Sequence, residues 1–219
     1  MKKILFIGNS LTGHIFETFT WMVENFASDP FLVDQVWGGG ATLELLLSNG
    51  RAEEALAREK WDIVLLQEQS QLPAIPGSEG QSFLDSVKIL SSKIKSQGAE
   101  PILYETWAHL QGDRQRKELY PDYESMQRGL SDAYGKAASE NSLKVIPIGQ
   151  IWLQFKSVNP ELFARLVEDD QYHPSGTGQF FNSAIFFHLL LGQDLNRVDA
   201  KNDLDPDDCK VLLDFIKTL

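Results

Sequence analysis

Apolar and polar positions along the chain change their period in a regular way. Residues 4–7 (Ile-Leu-Phe-Ile) are a continuous β-favouring run closed by Gly8, the pattern of a strand covered on both faces. Ile15, Phe19, Met22, Val23 and Phe26 then recur at helical spacing up to Asp29-Pro30, where proline restricts its predecessor and stops the helix. A second strand over 31–37 is cut off by Gly38-Gly39-Gly40, and short helices over 42–47 and 52–59 are separated by Asn49-Gly50. The run 62–66 is the plainest buried strand, and it leads into Gln67-Glu68-Gln69-Ser70. After a loop rich in proline and glycine, Phe83, Val87, Leu90 and Ile94 mark a helix ending near Gly98. A fourth strand over 101–106, a polar loop through Trp107, His109 and Gly112, a helix over 123–139 and a fifth strand over 143–148 follow. Short helices over 151–156 and 160–166, an apolar helix over 178–191 and an amphipathic helix with Val211, Leu212, Phe215 and Ile216 complete the pattern.

Strand and helix thus alternate five times without a repeat, a low-complexity segment or a linker. This predicts one α/β domain over residues 1–219, with a mostly parallel sheet covered by helices on both faces. Ligands of such sheets bind beyond the carboxyl ends of the strands. Chemistry is therefore expected at Gly8-Asn9-Ser10, at 38–40, at 67–69 and in the loop ahead of the apolar helix.

Composition narrows the field. Among 219 residues, 31 Asp and Glu outnumber 20 Lys and Arg, for a net charge of −11. Such a chain has no basic stripe for nucleic acid and would be repelled by an anionic membrane. The opening MKKILFIGNS imitates a signal peptide, but its apolar run is shorter than the ~7–15 residues such a peptide needs, and 180–191 falls short of the ~20 that span a bilayer. A cytoplasmic protein is expected. One cysteine, Cys209, in an acidic surround that disfavours a thiolate, rules out an internal disulfide and a cysteine metal site. Asp169, Asp170 and His173 lack a second histidine at ligand spacing, and 38–40 match no nucleotide-binding fingerprint, so neither metal nor cofactor is expected.

Ser10 follows the first strand, where a serine serves either as a helix cap or as a nucleophile at the sheet edge. Asp170-Gln171-Tyr172-His173 places a carboxylate three residues before an imidazole, close enough to fix the ring's tautomer and stabilise its cation. His173 precedes Pro174, which holds it on a loop ahead of a helix beginning at Pro174 or Ser175. His14 reads as a surface residue of the first helix, and His188 as a core histidine.

These segments carry a resemblance. Ile-Leu-Phe-Ile-Gly-Asn-Ser-Leu-Thr at 4–12, Gly40-Ala41-Thr42 after the second strand and Asp170-x-x-His173-Pro174 resemble blocks one, two and five of the SGNH (GDSL-like) hydrolases, in order over nearly the whole chain. The resemblance implies a three-layer α/β/α fold with a five-stranded parallel sheet of flavodoxin-like order. It further implies ester hydrolysis with Ser10 as nucleophile, His173 as base and Asp170 as orienting acid. Two positions depart from the family. Asn9 replaces the usual aspartate of Gly-Asp-Ser, which lies outside the triad, and block three, normally Gly-x-Asn-Asp, is replaced by Gln67-Glu68-Gln69-Ser70.

For the oxyanion hole, the resemblance points to the amides of Ser10 and Gly40, with Gln69 as substitute side-chain donor and Gln67, two residues away on the same strand face, as second choice. Glu68 reads either as a structural glutamate bonded to loop amides or as a contact for a substrate hydroxyl. Trp37, Trp107 and His109 are candidates for a substrate-binding wall. The expected substrate is a short-chain ester, most simply acetyl, of a polar or carbohydrate-like carrier. A thioesterase or lysophospholipase, and a carbohydrate-binding relative without turnover, are the alternatives. The acids of the C-terminal segment, Asp199, Asp203, Asp205, Asp207 and Asp208, read as a solubility feature. Glu68, Asp169 and Asp170 are expected to make the pocket acidic and to favour neutral or cationic esters.

Overall fold

A computed structural model describes residues 1–201 and 203–219. Five strands form one sheet: β1 (Lys2–Asn9), β2 (Phe31–Gly38), β3 (Ile63–Leu66), β4 (Glu100–Tyr104) and β5 (Lys144–Ile146). Every pairing is parallel, in the order β2-β1-β3-β4-β5. This is the flavodoxin-like order, and because β1 lies between β2 and β3 the chain reverses its direction of travel beside it.

Alternation along β1 splits the core in two. Ile4 and Phe6 face one layer, built from α1 (Ser10–Phe26), α6 (Ile148–Val158), α8 (Gly176–Ile185) and α9 (Pro206–Ile216). Leu5 and Ile7 face the other, built from α2 (Leu43–Ser48), α3 (Arg51–Ala57) and α4 (Ser78–Ser96). The helix α5 (Tyr123–Asn141) serves both layers, sending Met126 and Leu130 to the first and Tyr134 and Ala137 to the second, and the short α7 (Pro160–Ala164) joins the first. With all four β1 residues at 0–2% exposure, the uninterrupted apolar run is explained by burial on both faces.

The register sets the carboxyl edge. Asn9 pairs with Gly38 and Ile7 with Leu66, and Gln67 N–H donates to Ile7 O at 2.9 Å, so the ends of β1, β2 and β3 lie level. Ahead of α8, an antiparallel bridge between Val167 and Pro174 pinches residues 168–173 into a closed loop, and Ser175 caps the helix by accepting from Gly178 N at 3.2 Å. Two elements depart from the hydropathy pattern. The helix α4 starts at Ser78, ahead of its apolar stripe, which begins at Phe83 and so leaves the exposed first turn unmarked, and the apolar segment after α8 widens into a π-helical turn over Phe186–Leu190. Among the described residues, no helix is long and apolar enough to cross a membrane.

Candidate active site

The turn from β1 into α1 separates two tasks that the sequence left on Ser10. Asn9 is the helix cap, its Oδ1 accepting from Leu11 N at 3.0 Å. Ser10 is thereby spared as a cap, and its Oγ lies 2.9 Å from His173 Nε2. On the other side of the imidazole, Nδ1 lies 2.6 Å from Asp170 Oδ2, while Asp170 Oδ1 accepts from the amides of Tyr172 and His173 at 3.1 and 3.0 Å. With Nδ1–H donating to the carboxylate, Nε2 is left as an acceptor for the Ser10 hydroxyl. Burial opposes ionisation of Asp170, but the bonds from the His173 ring and the two amides outweigh it and hold the carboxyl below its usual range.

His14 joins this group from α1. Its Nδ1 lies 2.6 Å from Ser10 O and its ring is 4.6 Å from that of His173. It therefore walls the site instead of facing bulk solvent; its position four residues after Ser10, on the same helix face, was the signal in the sequence.

The segment after β3 distributes its side chains differently from expectation. Gln69 lines the cleft beside Ser10, and its Oε1 accepts from the amides of Gln71 and Leu72, both at 2.9 Å. This fixes the carboxamide orientation, and Nε2 donates one of its hydrogens to Gln71 Oε1 at 3.4 Å. Gln67 does not reach the cleft. It is buried, accepts from Asn9 N at 2.9 Å and Thr12 Oγ1 at 2.8 Å, and donates to Glu68 O. Glu68 is not a substrate contact either, being buried with its carboxylate on the amides of Leu43 and Gln69. Gly40 lines the cleft in a left-handed conformation (φ +62°) that glycine adopts without strain, and Thr42 caps α2 by accepting from Leu45 N at 3.1 Å.

Both tryptophans are corrected as well. Trp107 is buried, stacked at 4.4 Å on Trp152, and donates from Nε1 to Tyr172 O at 2.9 Å, so it supports the 168–173 loop from behind. Trp37 is exposed and lies against Gly13 on α1, outside the cleft lining. His109 does line the cleft. Its ring stacks on Tyr172 at 4.8 Å and its Nε2 is 3.0 Å from Ser70 Oγ. Burial lowers its pKa to about 4, so near pH 7 the ring is neutral.

The cleft over Ser10 has a volume of about 450 Å³. Its far wall is rich in carboxamides, from Gln71, Gln111 and Gln115, and carries the exposed Arg114. Among the described residues, Asp170 is the only carboxylate in the lining, which overturns the expectation of an acidic pocket. Glu68 points inward and Asp169 lies outside.

No family model and no curated protein matches the chain. Solved structures do. A protein from Slackia heliotrinireducens, described as a candidate SGNH hydrolase, is 25% identical with a TM-score of 0.70, over 86% of this chain and 98% of that one. The fold is that of the SGNH hydrolases. A DUF4886 family protein from Bacteroides uniformis has a similar fold at 22% identity and a TM-score of 0.82, over 99% and 93% of the two chains. So does the acetylxylan esterase Axe2 from Geobacillus stearothermophilus, at 17% identity and a TM-score of 0.68, over 91% and 97%. In the SGNH frame, the carboxyl edge holding Ser10, Gly40 and Gln69 is where a ligand of the sheet would sit.

Proposed function

We propose that residues 1–219 form a serine esterase of the SGNH type, acting on a short acyl ester, most simply acetyl, of a polar or carbohydrate-like alcohol. The observation that carries the reading is the continuous chain of hydrogen bonds Ser10 Oγ to His173 Nε2 (2.9 Å) and His173 Nδ1 to Asp170 Oδ2 (2.6 Å) at the sheet's carboxyl edge. As Ser10 Oγ attacks the ester carbonyl, His173 Nε2 takes its proton and Asp170 stabilises the imidazolium. The oxyanion is received by the amides of Ser10 and Gly40 and by Gln69 Nε2. The C–O bond to the alcohol breaks, and His173 returns the proton to the leaving oxygen. Water then attacks the acyl-Ser10 ester with His173 again as base, releasing the carboxylic acid and restoring the serine hydroxyl.

The carrier follows from the far wall. The carboxamides of Gln111 and Gln115 suit hydroxyl groups better than an alkyl chain, which would strand them unpaired. That one structural neighbour is an acetylxylan esterase fits the same substrate class.

Hydrolysis of p-nitrophenyl acetate tests the reading. Ser10→Ala and His173→Ala should each lower kcat at least about 10³-fold against the wild type. Equal rates in all three proteins would overturn it.

A further inference from the structure

The unusual run Gln67-Glu68-Gln69 sends each side chain to a different wall of the site. Gln67 holds the Asn9 amide and the Thr12 hydroxyl on either side of Ser10, and Gln69 presents its carboxamide to the cleft. Glu68, between them, is 1% exposed and has both oxygens on backbone amides. Oε1 accepts from Gln69 N at 2.7 Å and Leu43 N at 3.1 Å, and Oε2 from Leu43 N at 3.2 Å.

Leu43 opens α2 three residues after Gly40. The stretch between is also anchored by Ala41 N donating to Gly38 O at 3.1 Å, by Asn9 Nδ2 reaching Ala41 O at 3.4 Å, by the Thr42 cap of α2 and by the burial of Ala41 and Leu43, but none of these contacts reaches Gln69. At Gly39 and Gly40, the space where a side chain would stand holds no atom within 4 Å. A single carboxylate therefore ties the end of the glycine loop to the backbone of Gln69.

We propose that Glu68 is a positioning residue: its ionised carboxylate joins Leu43 to Gln69 and so sets the separation of the two oxyanion donors, the Gly40 amide and the Gln69 carboxamide. The role of those donors rests on the esterase reading; the tether itself does not.

The surroundings make the tether sensitive to pH. From α2, Glu44 faces Glu68 with like charge; from α5, the Tyr134 hydroxyl accepts from Glu68 N at 3.2 Å and stays protonated through burial; and Glu105 lies beyond Tyr134. Among the described residues, no lysine or arginine pairs with Glu68. Burial raises its pKa to about 7, with the Gln69 and Leu43 amides offsetting part of the rise and Glu44 adding to it. Protonation at Oε2 removes the charge and weakens that oxygen's bond from Leu43 N, leaving Oε1 to hold both amides as a neutral acceptor, with weaker bonds than a carboxylate makes. As pH falls through about 7, the tether loosens and the donors are held less firmly at the oxyanion. Since they act mainly in the transition state, kcat falls while KM holds.

Two measurements on the full chain test this. In wild-type protein, backbone amide resonances of Leu43 and Gln69 should titrate with one shared midpoint near pH 7, and in Glu68→Gln neither should show that step. With p-nitrophenyl acetate, Glu68→Gln should lower kcat at least about tenfold with KM within twofold, and the acid limb of the kcat profile should lose the component near pH 7. Absence of a shared titration in the wild type, or its persistence in Glu68→Gln, overturns the tether. An unchanged kcat and pH profile in Glu68→Gln overturns its role in turnover. The wild-type titration decides the tether even if the variant fails to fold. It also does so if Ser10→Ala is as active as the wild type, so the two readings fail separately.

Discussion

Asp170 divides its carboxylate between two jobs: Oδ1 closes the 170–173 turn on the amides of Tyr172 and His173, and Oδ2 holds the imidazole. Asn in its place could keep the turn with its carbonyl oxygen, but would then offer NH₂ to Nδ1 and stabilise the wrong tautomer. Asp170→Asn should fold like the wild type and lose about 10³–10⁴ in kcat, read from p-nitrophenyl acetate kinetics beside a thermal melt. Gln69→Ala should cost about 10²–10³ in kcat at little change in KM, the pattern of a lost oxyanion donor. The three residues of this hydrogen-bonded chain were legible from spacing and family pattern because each sits in a short, locally defined motif. Gln67 was misplaced for a physical reason. The argument that residues two apart share a strand face holds only within a strand, and β3 ends at Leu66, so Gln67 folds inward while Gln69 turns to the cleft.

At the scale of elements, the strands were easy to see because burial on both faces leaves nothing but apolar residues, as in β1 and β3. Contacts between distant elements were not. Trp107 after β4 stacks on Trp152 of α6 across 45 positions of sequence, and no local pattern announces such a partner. Close approach of elements is likewise visible only in three dimensions. A methyl group at Gly8, near the end of β1, would stand 2.3 Å from Gln67 Oε1 and 2.4 Å from Thr12 Oγ1, the pair that braces the turn into α1. Gly8→Ala should destabilise the protein by about 1–3 kcal/mol, seen as a melting temperature lower by roughly 2–12 °C. Gly135, inside α5 with open space around it, supplies the contrast. Alanine there gains helix propensity, so Gly135→Ala should raise stability by about 0.5–1 kcal/mol in the same melt.

The charge of the whole molecule acts on two length scales. The C-terminal acids are partly structural, not merely solubilising: Asp205 caps α9, and Asp208 makes a two-pronged ion pair with Arg165. Together with the remaining acids they leave a net charge of −11, whose repulsion of an anionic substrate extends about a Debye length, ~10 Å at 0.1 M salt. Inside the cleft the negative excess is offset. Asp170 is committed to His173, and Arg114 makes no ion pair among the described residues, whereas its neighbour Arg116 is held by Glu79 and Asp113. For an anionic acetyl ester, added salt should therefore raise kcat/KM by screening the long-range repulsion, while a neutral ester of similar size should be indifferent. Arg114→Gln should lower kcat/KM for the anionic ester by roughly 1.5- to 5-fold, the worth of one exposed ion pair, and change the neutral ester less. Steady-state kinetics on the two esters between low and physiological salt reads both effects. A preference for cationic esters that survives in Arg114→Gln would show that the acidic exterior, and not the cleft wall, governs selection.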